Sequence, residues 1–146
     1  MQSLSYPLTI QRRIEFSQTD AAGLIHFTTY FTLMEAAEAG LFRQLGLSLI
    51  WQDESGFCGF PRVDCQCKFR RPLHFDSLVT IQLALNDMDS RRLYFSASFL
   101  DEAGQQCATG TMTTTCAKRG HDGSLEGLPL PEFVTKSLSK WKTLGS

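Results

Sequence analysis

With 146 residues, 42% of them hydrophobic and 20% charged, the chain is sized for one globular domain with its own core, which argues against disorder. A formal net charge of -1 argues against a nucleic-acid partner, since such binding normally shows a strongly basic domain. No run of about 18 apolar residues occurs, so no membrane span is expected.

Met1 to Pro7 lacks a basic segment followed by an apolar one, so no secretory leader is expected and the compartment is read as cytoplasmic. Leu8 to Phe16 alternates loosely and reads as a first strand, ending in a turn from Ser17 to Gly23. From Thr28 to Leu45, residues Tyr30, Leu33, Met34, Ala37, Leu41 and Leu45 recur at three- and four-residue steps, the period of a helix burying one stripe. Phe31, Ala36, Ala39 and Phe42 broaden that stripe, so the helix is expected to be enclosed on most sides. Thr28 or Thr29 can cap its start and Gly46 its end.

A loop containing Trp51, Gly56 and Gly59 follows, and then four strand patterns. Val63, Cys65, Cys67 and Phe69 alternate with polar residues, as do Val79 to Leu85 and Leu93 to Phe99. Cys107 to Lys118 is a long segment with Thr109, Thr111, Thr113 and Thr115 on one face. Segments 87–90 and 101–104 are hairpin-length turns, Gly120 to Pro131 reads as loop, and Glu132 to Leu144 as a short final helix. A single antiparallel sheet of about five strands wrapped around one central helix satisfies this order, an α+β architecture. Its edge strand needs covering, so self-association is expected.

Five cysteines, Cys58, Cys65, Cys67, Cys107 and Cys116, form an odd set and read as free thiols. Cys65 and Cys67 share one strand face, but no second close Cys/His pair completes a site. No metal and no cofactor are therefore expected, and the cysteines read as buried small hydrophobes.

The chemistry concentrates at Thr19-Asp20-Ala21-Ala22-Gly23-Leu24-Ile25-His26-Phe27, between the first strand and the helix. An acidic residue and a glycine just ahead of a helix start bring a carboxylate beside free backbone N–H groups. Such a pair can attack, or activate water at, a carbonyl and hold the resulting oxyanion. Asp and Gly are also ordinary turn residues, so the motif alone does not decide. No Gly-x-Ser-x-Gly elbow appears, which argues against an α/β-type serine hydrolase.

With these residues the chain resembles the hotdog-fold acyl-CoA thioesterases of the 4-hydroxybenzoyl-CoA thioesterase-like group. The resemblance rests on the Asp20 to Gly23 segment with Leu24 and Ile25, on Tyr30, Glu35 and Phe42 to Gly46, and on Phe69-Arg70-Arg71-Pro72-Leu73 followed by Asp76. It implies a hotdog fold and an acyl-CoA substrate, with Asp20 as the catalytic carboxylate acting as nucleophile or general base. It also implies that Gly23 turns the chain toward the helix and that the Phe27 backbone N–H polarises the thioester carbonyl. Glu35 matches an acidic position that could act across a subunit interface or position water, or equally carry no catalytic weight. His26 stands where the family usually has Tyr or Phe, so it inherits no catalytic role and is expected, with Tyr30, to line the substrate pocket. The resemblance further implies a dimer or tetramer with sites at the subunit seam.

Three basic pairs near strand ends, Arg70/Arg71, Arg91/Arg92 and Lys118/Arg119, could grip the coenzyme A phosphates, although each alone reads as a solvated pair. Trp51, Phe57 and Phe60 could line an acyl pocket, against the heavier expectation of core packing. An acyl-CoA hydratase and a non-catalytic acyl-binding or assembly module on the same fold remain as alternatives, because fold does not fix function.

Overall fold

A computed structural model gives the fold of residues 3–146. Strands β1 (Leu8–Arg13), β4 (Arg62–Phe69), β5 (Leu78–Met88), β6 (Arg92–Leu100) and β7 (Gln106–Thr115) form one antiparallel sheet in the order β1-β5-β6-β7-β4. Helix α1 (Phe27–Gln44) lies on its inner face. The helix turns Leu33, Met34, Ala37 and Leu41 inward, and the strands meet them with Ile81, Leu83, Phe95, Phe99 and Met112. Each such large side chain contributes about 1.5–3 kcal/mol of burial. Gly110 on β7 allows the close approach, since a Cβ there would run into the enclosed Met34 side chain. Gly46, at φ +71°, ends the helix as its position suggests.

Three expectations need correction. The loop after α1 contains a hairpin, β2 (Ile50–Asp53) and β3 (Gly56–Gly59), whose turn is closed by Asp53 Oδ1 accepting from the Ser55 and Gly56 N–H groups. The long segment expected from Cys107 to Lys118 is two strands broken at Cys116, and β8 (Ala117–Gly120) leaves the main sheet to pair with β3. The presumed loop from Gly120 holds β9 (Leu125–Gly127), which completes a second antiparallel sheet, β2-β3-β8-β9. Strands of three or four residues are too short to show a period.

The cysteines also divide. Cys58, Cys107 and Cys116 are buried, but Cys65 is exposed and Cys67 only half-buried. The reason is the place of β4 at the sheet edge, which also leaves Val63 48% and Phe69 54% exposed. Helix α2 (Glu132–Thr143) forms where expected, burying Val134, Leu138 and Trp141. Trp141 donates its indole N–H to the Ser5 carbonyl at 2.7 Å.

Two contacts set the direction of α1. Tyr30, in its first turn, packs on Phe69 at the end of β4 (ring centroids 4.9 Å apart), and Glu38, two turns on, pairs with Arg62 at the start of β4. The helix therefore runs antiparallel to β4. Its start lies with segments 14–25 and 69–77, and its last turns lie with the β5–β6 turn and the small sheet.

Candidate active site

Strand β1 ends at Arg13 rather than Phe16, and Phe16–Gln18 form a single 3-10 turn. Thr19 then bridges Ile25, and Asp20 donates its N–H to the Leu24 carbonyl at 2.8 Å, folding Asp20 to Leu24 into a tight loop. The loop closes through Gly23, whose N–H reaches the Asp20 carbonyl at 3.0 Å. Gly23 adopts φ +76°, a left-handed conformation that a side chain would strain even though the space beside it is open.

The Asp20 carboxylate is exposed but fixed. Its Oδ1 accepts from the Ala22 N–H (2.9 Å) and the Leu24 N–H (3.2 Å), while Oδ2 meets no donor among the described residues. One oxygen thus orients the group and the other stays open. The loop is tied to the helix, because the Gln18 carbonyl accepts from both the His26 N–H and the Thr29 hydroxyl.

His26, not Thr28 or Thr29, caps α1. Its Nδ1 accepts from the Thr28 N–H at 3.3 Å and lies 2.7 Å from the Thr28 hydroxyl. Its ring stacks on Phe27, with centroids 4.7 Å apart and planes at 28°. Phe27 is the first helical residue and 60% exposed, and its N–H finds no acceptor among the described residues. An open N–H at the positive end of a helix, three residues beyond the Asp20 loop, attracts developing negative charge.

Tyr30 belongs to the core more than to an open pocket, with its ring between Phe69 and Phe99. Burial pushes its hydroxyl up to about 12, so it can donate a hydrogen bond but not serve as a base.

The remaining expected site residues do not all gather here. Arg70 and Arg71 do lie at this end of the sheet: both N–H groups reach the Cys107 carbonyl, and both side chains line a groove with Gln105 and Gln106. Neither forms an ion pair among the described residues. Glu35 sits two turns along α1, about 12 Å from Phe27 at the helical rise. Arg91, Arg92, Lys118 and Arg119 all lie toward the opposite end, and Lys118 is occupied by Asp53 at 2.6 Å and Ser55 at 2.8 Å.

Sequence reading missed Glu38. It is fully buried on α1, with Oε1 accepting from Arg62 at 2.7 Å, while Glu35 meets the same guanidinium at 3.5 Å from outside. Burial pushes the Glu38 carboxyl above the usual range, with Arg62 opposing the shift. The signal was present: Glu38 stands four residues after Met34 and four before Phe42, on an otherwise apolar stripe.

A family model, the thioesterase-like superfamily, matches residues 14–138, taking in the Asp20 loop, α1 and four of the five strands of the main sheet, all but β1. The chain belongs to the thioesterase-like superfamily. A relative within reach of sequence is the 4-hydroxybenzoyl-CoA thioesterase of Pseudomonas sp., 32% identical over 83 residues, which are 55% of this chain and 58% of that one. Among solved structures, the 1,4-dihydroxy-2-naphthoyl-CoA thioesterase of Synechocystis superposes with a TM-score of 0.79 at 19% identity, covering 90% of this chain and 95% of that one. A mutant 4-hydroxybenzoyl-CoA thioesterase complexed with 4-hydroxybenzoyl-CoA gives 0.75 at 21% identity, covering 89% and 96%. These likenesses establish the hotdog fold, with a long helix against antiparallel strands, as the superfamily assignment leads one to expect.

Proposed function

We propose that the chain is an acyl-CoA thioesterase in which Asp20 is the catalytic carboxylate and the Phe27 N–H the oxyanion donor. The observation that carries this reading is the half-satisfied Asp20 carboxylate, pinned through Oδ1 with Oδ2 open, just ahead of a helix start whose first N–H is free. Superfamily membership and a relative that acts on 4-hydroxybenzoyl-CoA support the thioester, and they favour an aromatic acyl group.

Two routes fit the geometry. In the first, Oδ2 attacks the thioester carbonyl to form a mixed anhydride, and the thiolate leaves and takes a proton from water. A second water then cleaves the anhydride, releasing the acid and restoring the carboxylate. In the second, Asp20 takes a proton from a water that attacks the carbonyl, and that proton passes to the departing thiolate. In both, charge develops on the carbonyl oxygen, where an aligned N–H donor is worth roughly 3–4 kcal/mol in other enzymes.

Arg70 and Arg71 are the pair we assign to the coenzyme A phosphates, because they share the Asp20 end of the sheet and have no acidic partner among the described residues. We further infer that the active form is at least a dimer. The unpaired edge of β4, with Val63 and Phe69 half-exposed, suits a second copy running antiparallel, which would bring the partner's opposite end toward Asp20. Glu35 would act from there.

The test is an acyl-CoA panel, aromatic and aliphatic, with a thiol reagent to read released coenzyme A. Thiol release that is lost in Asp20→Asn supports the reading. Loss of an unsaturated bond without thiol release would make the chain a hydratase, and silence across the panel would make it a binding module.

A further inference from the structure

One fully buried carboxylate is not used by the chemistry assigned to Asp20. Glu38 is 0% exposed on the apolar stripe of α1, four residues from Met34 and four from Phe42. Its Oε1 accepts from Arg62 Nη2 at 2.7 Å, and its Oε2 meets no donor among the described residues. A buried ion pair with one oxygen unsatisfied adds little or nothing over well-packed apolar residues, so stability does not account for it.

The pair instead fixes a third group. Glu38 holds the Arg62 guanidinium from inside, and the Phe60 carbonyl accepts from its Nη1 at 3.5 Å. From outside, the same Nη2 meets Glu35 Oε2 at 3.5 Å, the one partner of Glu35 among the described residues. Side-chain exposure rises along these contacts, from 1% at Glu38 through 31% at Arg62 to 64% at Glu35. A surface carboxylate is thus aimed by a buried one through a rigid, planar guanidinium.

Arg62 also opens β4, the strand at the inferred seam. In an antiparallel pair of edges, the start of one β4 lies opposite the end of its counterpart, where Phe69 packs on the first turn of α1. Glu35 is therefore carried toward the Asp20 loop of the second copy.

We propose that Glu38 and Arg62 are positioning residues for the active site of a second copy: Glu38 anchors the guanidinium from the core, and Arg62 holds the Glu35 carboxylate where it accepts a hydrogen bond from the attacking water. The proposal rests on the thioesterase reading and on the antiparallel dimer, and adds to them the groups that aim Glu35. Both routes to hydrolysis need that water. Turning its oxygen toward the acyl carbon acts on kcat rather than on the binding of coenzyme A.

Thiol release by Asp20→Asn, Glu35→Gln, Glu38→Leu and Glu38→Gln tests it, with melting temperature and mass measured alongside. Glu38→Leu should fold at least as stably as the wild type, stay assembled, and lose roughly 10–100-fold in kcat with KM little changed. Glu38→Gln keeps an acceptor for Arg62 and should retain kcat within about threefold. Adding Glu38→Leu to Glu35→Gln should cost nothing further, because the first acts through the second. Should Glu38→Leu not fold, the paired replacement Glu38→Leu/Arg62→Met, which leaves no buried charge alone, should show the same loss. Chains with Asp20→Asn co-expressed with chains with Glu38→Leu should regain about a quarter of wild-type activity, since half the dimers are mixed and each has one intact site. Full kcat in Glu38→Leu, losses that add in the double variant, or no recovery on mixing would each overturn the proposal while leaving Asp20 in place. A wild type that releases no thiol, or Asp20→Asn with undiminished release, would remove the thioesterase reading and the proposal with it.

Discussion

Two carboxylates on this chain are held in opposite ways, and the difference predicts how each responds to change. Asp20 is exposed and accepts two backbone N–H bonds through one oxygen. Asp20→Asn keeps an acceptor for the Ala22 and Leu24 N–H groups, so the loop should survive while the charge is lost. Turnover of a cleaved acyl-CoA should then drop by at least about 100-fold, with the melting temperature nearly unchanged. A well-folded Asn variant with near-normal kcat would remove Asp20 from the mechanism. Glu38 is buried, and that burial raises its pKa above the ordinary 4.5 despite the Arg62 guanidinium. In the window above 4.5 the folded chain therefore binds a proton that the unfolded chain has released. The stabilisation linked to that proton is complete below the ordinary value and is lost as pH rises through the folded one. Gln at this position has no proton to lose, so the stability of Glu38→Gln relative to wild type should improve from pH 4 to pH 8. Urea midpoints at the two values measure it, and a gap that does not change with pH would contradict the assigned shift.

At the scale of elements, the parts legible in the sequence were those long enough to show a period. The stripe through Leu33, Ala37 and Leu41 and the alternation in β5 and β6 gave α1 and the centre of the main sheet. The small sheet was not legible, because β2, β3, β8 and β9 are three or four residues long and their pairing is decided by contacts distant in sequence. The alternation of β4 read as a buried face and is instead an edge, since alternation reports a pleat and not what covers it. The Asp20 loop was legible through its Asp and Gly. The His26 cap was not, because histidine is not among the preferred capping residues and its role appears only once Thr28 is placed beside it. The three basic pairs looked equivalent in sequence, and only the topology separates Arg70/Arg71 from the two pairs at the other end. That separation is measurable. Alanine at Arg70 and Arg71 together should raise KM more than it lowers kcat, because phosphate contacts far from the carbonyl bind substrate and transition state alike. The effect should fade as salt is raised. An unchanged KM at low salt would put the phosphates elsewhere.

At the scale of the whole molecule, the open edge of β4 is the main unsatisfied feature of the main sheet. Among the described residues its outer N–H and C=O groups lack a strand, and Val63, Cys65 and Phe69 stand exposed along it, an arrangement that folded chains normally cover. An antiparallel second copy would supply the missing hydrogen bonds and bury those side chains, and α1 would then run antiparallel to its counterpart. The start of one helix would approach the later turns of the other, an arrangement in which the Asp20 of one copy and the Glu35 of the other could serve a single site although they lie about 12 Å apart along one helix. Proline at Gln66, in the middle of β4, removes one backbone donor and should weaken pairing across whichever edge that donor serves. Val63→Lys, which changes no backbone group, places a charge on the exposed edge and should lower the assembly by at least one step in mass. If the site is built across the seam, activity should fall with assembly even though Asp20 and its loop are untouched in Val63→Lys. Light scattering and thiol release on the same sample decide the matter. A monomeric mass with full thioesterase activity would show the site to be complete within one chain, and the role proposed for Glu35 would then have to be given up.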